Sequence, residues 1–285
     1  MMDTIIKTEG LNKEFILGGF PHSIKIKALN DVNITVASQE PAIISVVGES
    51  GSGKTTLAKI ILRLVQPTSG QVIVSNQLVA GKGAQPDKTE FLRNVQPIFQ
   101  NPFEAFNRYR TIDMYLYETA TRVLKLGPVE AVNAIEEALS AVGLEYKDVR
   151  GKYPNQFSGG ELQRASVARA LIPHPTLIIA DEPVSMIDAS RRMIIINLFL
   201  ALKQEYKTSF LYITHDLATA YYISDYIAVL NHGKLVEFGE GKQVLQNPQH
   251  DYTRLLLDSI PSLNKKWTDD IDWTAPIGAM SERTY

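Results

Sequence analysis

Apolar positions follow two different rhythms along this chain. In the first part they are β-branched and come in short runs bounded by turn signals, at 4–9, 24–36 and 71–79. Such runs predict strands of an antiparallel layer. Between them lies the unbroken run Ala42-Ile43-Ile44-Ser45-Val46-Val47, which predicts a strand. A helix predicted over 54–65 stops at Pro67, with Ser69-Gly70 as the turn. Ala80 to Lys88 is polar and contains glycine, so it reads as a loop.

The second rhythm is helical and covers 112–172. Pro128 suits a first helical position. Val129, Val132, Ile135, Leu139 and Val142 recur at helical spacing, with Glu130, Asn133, Glu136 and Glu137 opposite. Gly143 closes that helix. From 176 strands and helices alternate: strand 176–180, helix 189–206, strand 209–213, helix 217–223, strand 226–230. Alternation of this kind predicts a mostly parallel sheet covered on both faces. Asn231-His232-Gly233 marks a hairpin turn, and helical stretches at 241–246 and 250–258 precede a tail. A helical block is thus inserted into an α/β core. No internal repeat or low-complexity segment is visible.

Composition narrows the class. With 285 residues the chain can hold one large or two smaller domains. Its 45% hydrophobic and 21% charged content is ordinary for a soluble globular protein. A formal net charge of −2 gives no global field toward nucleic acid or an anionic membrane surface. Cysteine is absent, which excludes disulfides and thiolate-ligated zinc or iron–sulfur sites and suits a reducing cytoplasm. The start, Met1 to Lys7, lacks a signal-peptide apolar core. No apolar run approaches the ~20 residues of a membrane span. Met193 to Leu202 carries Asn197 and reads as a buried helix.

The chemistry starts at Gly48-Glu49-Ser50-Gly51-Ser52-Gly53-Lys54-Thr55-Thr56, which follows the 42–47 strand and opens a helix. This fits the P-loop pattern in its required context. Glycines let backbone N–H groups form an anion nest, and the helix N-terminus points at the same anion. Lys54 reaches β- and γ-phosphates, and the Thr55 hydroxyl can ligate Mg²⁺. Leu177 to Ala180 is an apolar strand ending in Asp181 and Glu182. Asp181 would hold Mg²⁺, and Glu182 would take a proton from the attacking water, a role typically supplying ~10²–10⁴ in rate. A surface pair capping the next helix is the plainer reading. Ser158-Gly159-Gly160-Glu161 opens a helix to about Ile172 and reads as a second phosphate-binding end. It also fits an ordinary capping box, with Ser158 as cap and Glu161 as its acid.

The ordered set is the P-loop, Gln100 after an apolar strand, Ser158 to Arg164, Leu177 to Glu182, Ser185-Met186-Ile187-Asp188, and His215 after strand 209–213. It resembles the ATPase subunit of an ATP-binding cassette (ABC) transporter, over 1–258, with a helical subdomain at about 101–172 and a tail at 259–285. That implies an α/β fold: a P-loop NTPase core with an antiparallel β layer and an inserted helical subdomain. The resemblance further implies a head-to-tail dimer with ATP and Mg²⁺ between the chains. Each ATP would meet one chain's P-loop and the other's Ser158, Gly159, Gly160 and Glu161. Gln100 would sense Mg²⁺ and water, His215 the γ-phosphate, and Asp188 would sit in the loop crossing between sites. Phe15, or Phe20 close by, would stack on adenine.

Ile98 to Asn107 and His250 to Pro261 resemble the branch that serves dipeptide, oligopeptide and nickel importers, some members of which carry oligosaccharides. The implied partners are a second ABC ATPase chain, a paralogue or a copy, and two membrane permease subunits. An external solute-binding protein would act indirectly, and no nucleic acid is implied. The implied place is the cytoplasmic face of the membrane. Departures are Glu161 where the family usually has Gln, Met186-Ile187 where it has Ala-Leu, and Asp251 where it has Pro. The tail's Trp267 and Trp273 read as folded back on the domain or as partner-binding. Two other classes stay open: a non-catalytic partner of an active paralogue, and a soluble ABC ATPase acting on nucleic acid or ribosomes.

Overall fold

The computed structural model describes residues 3–18 and 23–258. The expected Trp-containing tail and Phe20 lie outside these residues. Two sheets organise the chain. The first is antiparallel, in the order β2-β1-β4-β5, built from β1 (Asp3–Leu17), β2 (Ile24–Ser38), β4 (Ser69–Val74) and β5 (Gln77–Gly81). The run at 71–79 is therefore two strands, not one. Ser75 and Asn76 both adopt positive φ, 48° and 63°, the backbone of a tight two-residue hairpin turn. The loop expected from Ala80 begins only after Gly81, and it ends at Asp87. That side chain accepts the Glu90 N–H at 2.8 Å and caps α2 (Lys88–Asn94).

The second sheet has six strands in the order β10-β9-β3-β8-β7-β6. They are β3 (Ile43–Val47), β6 (Val95–Ile98), β7 (Leu177–Asp181), β8 (Ser209–Thr214), β9 (Tyr226–Asn231) and β10 (Lys234–Glu240). All neighbours pair in parallel except the β9–β10 hairpin. Side-chain alternation sends successive residues to opposite cores. Phe210 and Tyr212 on β8 enter one core with Ile178 and Ala180 of β7. Leu211 and Ile213 enter the other with Leu177 and Ile179. This double burial leaves every residue of β3 and β8 buried, and both strands are mostly apolar.

The second core lies between the two sheets and takes in α1 (Lys54–Ile61), whose Leu57, Ala58, Ile60 and Ile61 are buried. The first core holds α8 (Ala189–Glu205) and the inserted block, α3 (Pro102–Ala105), α4 (Ile112–Val123), α5 (Pro128–Ala141), α6 (Tyr146–Val149) and α7 (Gly159–Leu171). On α5 the buried stripe is Ala131, Ile135, Ala138 and Leu139, while Val129 in the first turn is 74% exposed. The expected stripe was one turn too generous at its start. Gly143 does end the helix, with φ 68°. Within α8, Ile195, Ile196, Phe199 and Leu202 are buried, whereas Met193 and Ile194 face outward. The Met193–Leu202 run is thus a one-sided helix. No helix of the described residues is long and apolar enough to cross a membrane. The remaining helices, α9 (Leu217–Ile223), α10 (Gly241–Gln246) and α11 (Asp251–Asp258), flank the β9–β10 edge.

Phe199 stacks on Phe210 at 5.0 Å and meets Tyr212 edge-on at 6.3 Å. It ties α8 to β8, the strand that leads into His215. Phe199→Ala should lower stability by about 3–5 kcal/mol, the usual cost of a large core deletion, seen as a lower midpoint in thermal unfolding.

Candidate active site

Strand register brings the site together. Val47 is level with Thr214, Asp181 with Ile213, and Ile98 with Ala180. The chain therefore leaves β3, β8, β7 and β6 at one edge, and the next residues are Gly48, His215, Glu182 and the Phe99-Gln100 pair. In parallel α/β sheets ligands bind at these carboxyl ends.

The P-loop is shaped by close backbone approach. A Cβ on Gly48 would lie 2.1 Å from the Leu230 carbonyl oxygen, and one on Gly53 would lie 2.5 Å from that of Ala28. Both have positive φ, 147° and 106°, so glycine is required twice over. The β9–β10 turn supports the loop from outside, since the Gly233 N–H donates to Ser52 O at 3.0 Å. Lys54 opens α1 and is buried, and it donates to Gly48 O at 2.7 Å and Glu49 O at 2.8 Å. An ammonium has three protons, so one is left for an anion. Burial lowers the Lys54 pKa, against the opposing pull of Glu182, Asp181 and Glu49.

Asp181 ends β7, and Thr55 Oγ1 lies 3.4 Å from its Oδ1. Burial raises the Asp181 carboxyl above the ordinary range, with the Thr55 hydroxyl working the other way. Glu182 follows at φ 45°, a left-handed conformation costly for a residue with a side chain. Its backbone is held from both sides. The N–H donates to Ile213 O at 2.9 Å, and the carbonyl accepts the Ser185 hydroxyl at 2.9 Å. Its carboxylate is also bracketed: Gln100 Nε2 donates to Oε2 at 3.0 Å, and His215 Nδ1 lies 3.0 Å from Oε1. Gln100, Glu182 and His215, distant in sequence, form one chain of contacts.

A cavity of about 350 Å³ beside them is lined by Ser50, Gly51, Gly53, Lys54, Thr55, Thr56 and Glu182 from these loops, and by Ile26 from β2 and His232 from the β9–β10 turn. His232, read from sequence as a surface or turn residue, is exposed and also lines this cavity. Phe15 pairs with Ile26 across β1 and β2, and Lys13 Nζ sits 4.9 Å from its ring centre.

Ser158, Gly160 and Glu161 line a different cavity with Arg164 and Arg191, so the chain does not bring them to its own P-loop. Within the chain the capping-box reading holds. The Ser158 hydroxyl donates to Glu161 Oε2 at 2.7 Å, and the Glu161 N–H donates back to Ser158 Oγ at 3.3 Å. The Ser158 hydroxyl and backbone N–H together hold the Glu161 carboxyl below its ordinary range. Asp188 precedes α8 as its cap residue, with no side-chain hydrogen bond in that role. Of the unusual pair before it, Ile187 is buried and Met186 is 62% exposed.

A family model described as ABC transporter matches residues 29–185. The chain belongs to that family. It is an ATP-binding, ATP-hydrolysing chain of the ABC transporter type. A second model, described as the oligopeptide/dipeptide transporter C-terminal region, matches residues 236–282. The chain is 35% identical over 267 residues to the oligopeptide transport ATP-binding protein AppF of Bacillus subtilis (strain 168), covering 93% of this chain and 80% of that one. It is 34% identical over 266 residues to the di/tripeptide transport ATP-binding protein DppF of Pseudomonas aeruginosa (strain UCBPP-PA14), covering 92% and 81%. Among solved structures it is similar to the dimeric post-hydrolysis state of the ATP-binding cassette MJ0796 bound to ADP and Pi, with TM-score 0.70 and 26% identity over 82% of this chain and 98% of that one.

The half-buried Asp181 has a testable consequence in the ligand-free protein. Its folded pKa is raised, so the folded state binds more protons than the unfolded state between the two pKa values. Stability therefore falls as pH rises through that window. The isosteric Asp181→Asn has no such cost. It should melt higher than the parent in EDTA at pH 8, and the gain should vanish on acidification below the unfolded carboxylate range.

Proposed function

We propose that this chain is the ATP-hydrolysing subunit of an importer for oligopeptides or dipeptides, working under a membrane permease. The observation that carries the reading is the Glu182 carboxylate held between Gln100 and His215 beside Lys54 and Thr55. The named relatives, all peptide-transport ATP-binding proteins, and the match to the oligopeptide/dipeptide C-terminal region favour peptide cargo.

In this reading the triphosphate lies along Gly48 to Thr56, with its β- and γ-phosphates on the N-terminus of α1. Lys54 donates a hydrogen bond from its remaining N–H to a phosphate oxygen. Glu182 accepts a proton from the attacking water at a carboxylate oxygen. Gln100 and His215 fix the plane of that carboxylate. His215 uses Nδ1 toward Glu182, and Nε2 would donate to a γ-phosphate oxygen when both ring nitrogens carry a proton. Thr55, Asp181 and Gln100 present oxygen donors, the type that Mg²⁺ takes. Gln100 spends its amide nitrogen on Glu182, so its amide oxygen is the atom facing a cation. A cation beside Asp181 would also relieve the cost of burying that charge. Bound there, Mg²⁺ would neutralise charge on the phosphate oxygens. Phe15 would stack on adenine.

A second copy or a paralogue would complete each site head to tail, offering Ser158, Gly159, Gly160 and Glu161 to the γ-phosphate, with Asp188 at the crossing. For Ser158 to donate to phosphate, its hydroxyl must leave Glu161. Two permease subunits would span the membrane above the dimer, at its cytoplasmic face, and receive cargo from an external binding protein.

Glu182→Gln should keep ATP binding and lower turnover by about 10²–10⁴-fold, the usual worth of a general base. It should also accumulate an ATP-bound dimer in size-exclusion chromatography. Normal phosphate release by this variant sinks the assignment. Lys54→Ala removes a charge-assisted contact and should weaken ATP binding at least about tenfold by titration.

A further inference from the structure

The C-terminal segment reaches the P-loop through one side chain. Residues 248–254 are folded by their own contacts onto β10. Glu237 accepts the N–H groups of Gln249 at 2.8 Å and His250 at 3.1 Å. Arg254 donates to Pro248 O at 3.1 Å, Gln249 O at 3.2 Å and Asp251 Oδ1 at 2.9 Å. The last of these uses the aspartate that stands where proline is usual in the branch. His250 Nδ1 accepts the Tyr252 N–H at 3.1 Å. These bonds set the first turn of α11. They place the Tyr252 ring against a cluster that contains Val47, the last residue of β3.

From there the Tyr252 hydroxyl accepts the Glu49 N–H at 3.1 Å. That N–H belongs to the same planar peptide unit as the Gly48 carbonyl, which accepts Lys54 Nζ at 2.7 Å. A peptide plane is rigid, with only its flanking dihedrals soft. Holding one end of the plane therefore orients the other. Glu49 O accepts the same ammonium at 2.8 Å. The C-terminal helix and the phosphate-reaching lysine thus grip a single peptide from opposite ends.

We propose that Tyr252 is a positioning residue for nucleotide binding: its hydroxyl sets the Gly48–Glu49 peptide, and that peptide sets the Lys54 ammonium. The inference rests on the reading of the P-loop as the nucleotide site. It gives the peptide-transporter C-terminal region a part in the ATP site of its own chain. Tyr252 touches no reacting atom and acts through Lys54.

The test is a titration of the full chain with the fluorescent methylanthraniloyl-ADP in Mg²⁺. Tyr252→Phe keeps the ring and removes only the acceptor. Loss of one hydrogen bond should raise the Kd about threefold to tenfold, and KM for ATP should rise in step while kcat at saturation moves less than about twofold. Leu245→Ala loosens the same cluster without altering any bond to Glu49. It should lower the melting temperature and leave the Kd unchanged. An unaltered Kd in folded Tyr252→Phe overturns the proposal, as does an equal rise in both variants. A parent chain that binds no nucleotide overturns the P-loop reading itself, and the proposal with it.

Discussion

Everything at the site depends on parallel pairing in register. A parallel strand points its carboxyl end the same way as its neighbour, so level strands deliver their next residues to one edge. Because Val47, Thr214, Asp181 and Ile98 each stand within one step of the neighbouring strand's residue, a P-loop, a histidine, a carboxylate pair and a glutamine meet there. Shifting any one strand by a residue would turn its side chains to the other core. Both faces are buried, so neither alternative register is tolerated. The two hydrophobic cores therefore specify active-site geometry as well as stability.

Charge is placed against the preference of the fold. Lys54 and Asp181 are both buried enough for desolvation to dominate their titration, one pushed down and the other up. Glu182 sits in a strained backbone conformation held by Ile213 and Ser185. Such features lower the stability of the ligand-free fold and suit a site that is relieved when a charged ligand binds. The same logic explains the closeness of backbone around the P-loop. The carbonyls of Leu230 and Ala28 stand where the side chains of residues 48 and 53 would be, so neither position has room for a Cβ.

Much of this was legible in the chain. The strand and loop at 42–53, the helix from Pro128 to Gly143, the alternation after 176 and the Asn231–Gly233 turn are all local patterns, and each folds as its pattern dictates, whereas the helix expected over 54–65 stops at Ile61, with Arg63 turned to φ 59°. The misreadings were local too. Ser75-Asn76 carries no glycine, so its hairpin turn did not stand out, and the 71–79 run looked continuous. Ala131 and Ala138 supply the buried stripe of α5, where small residues give a weak hydrophobic signal and Val129 a false one. Met193 and Ile194 look like core by composition, yet they occupy the outer face of α8.

By itself the sequence determined the elements, the motif residues and their order, because turns, caps and side-chain periodicity act over a few residues. Tertiary structure decided which residues touch. It set Glu182 between Gln100 and His215, placed Gly233 behind Ser52, and kept Ser158 away from its own P-loop. It also carried Tyr252 to Glu49 across 203 positions. Contacts of that kind follow from strand register and from the packing of two cores, quantities that belong to the assembled chain and to no short stretch of it.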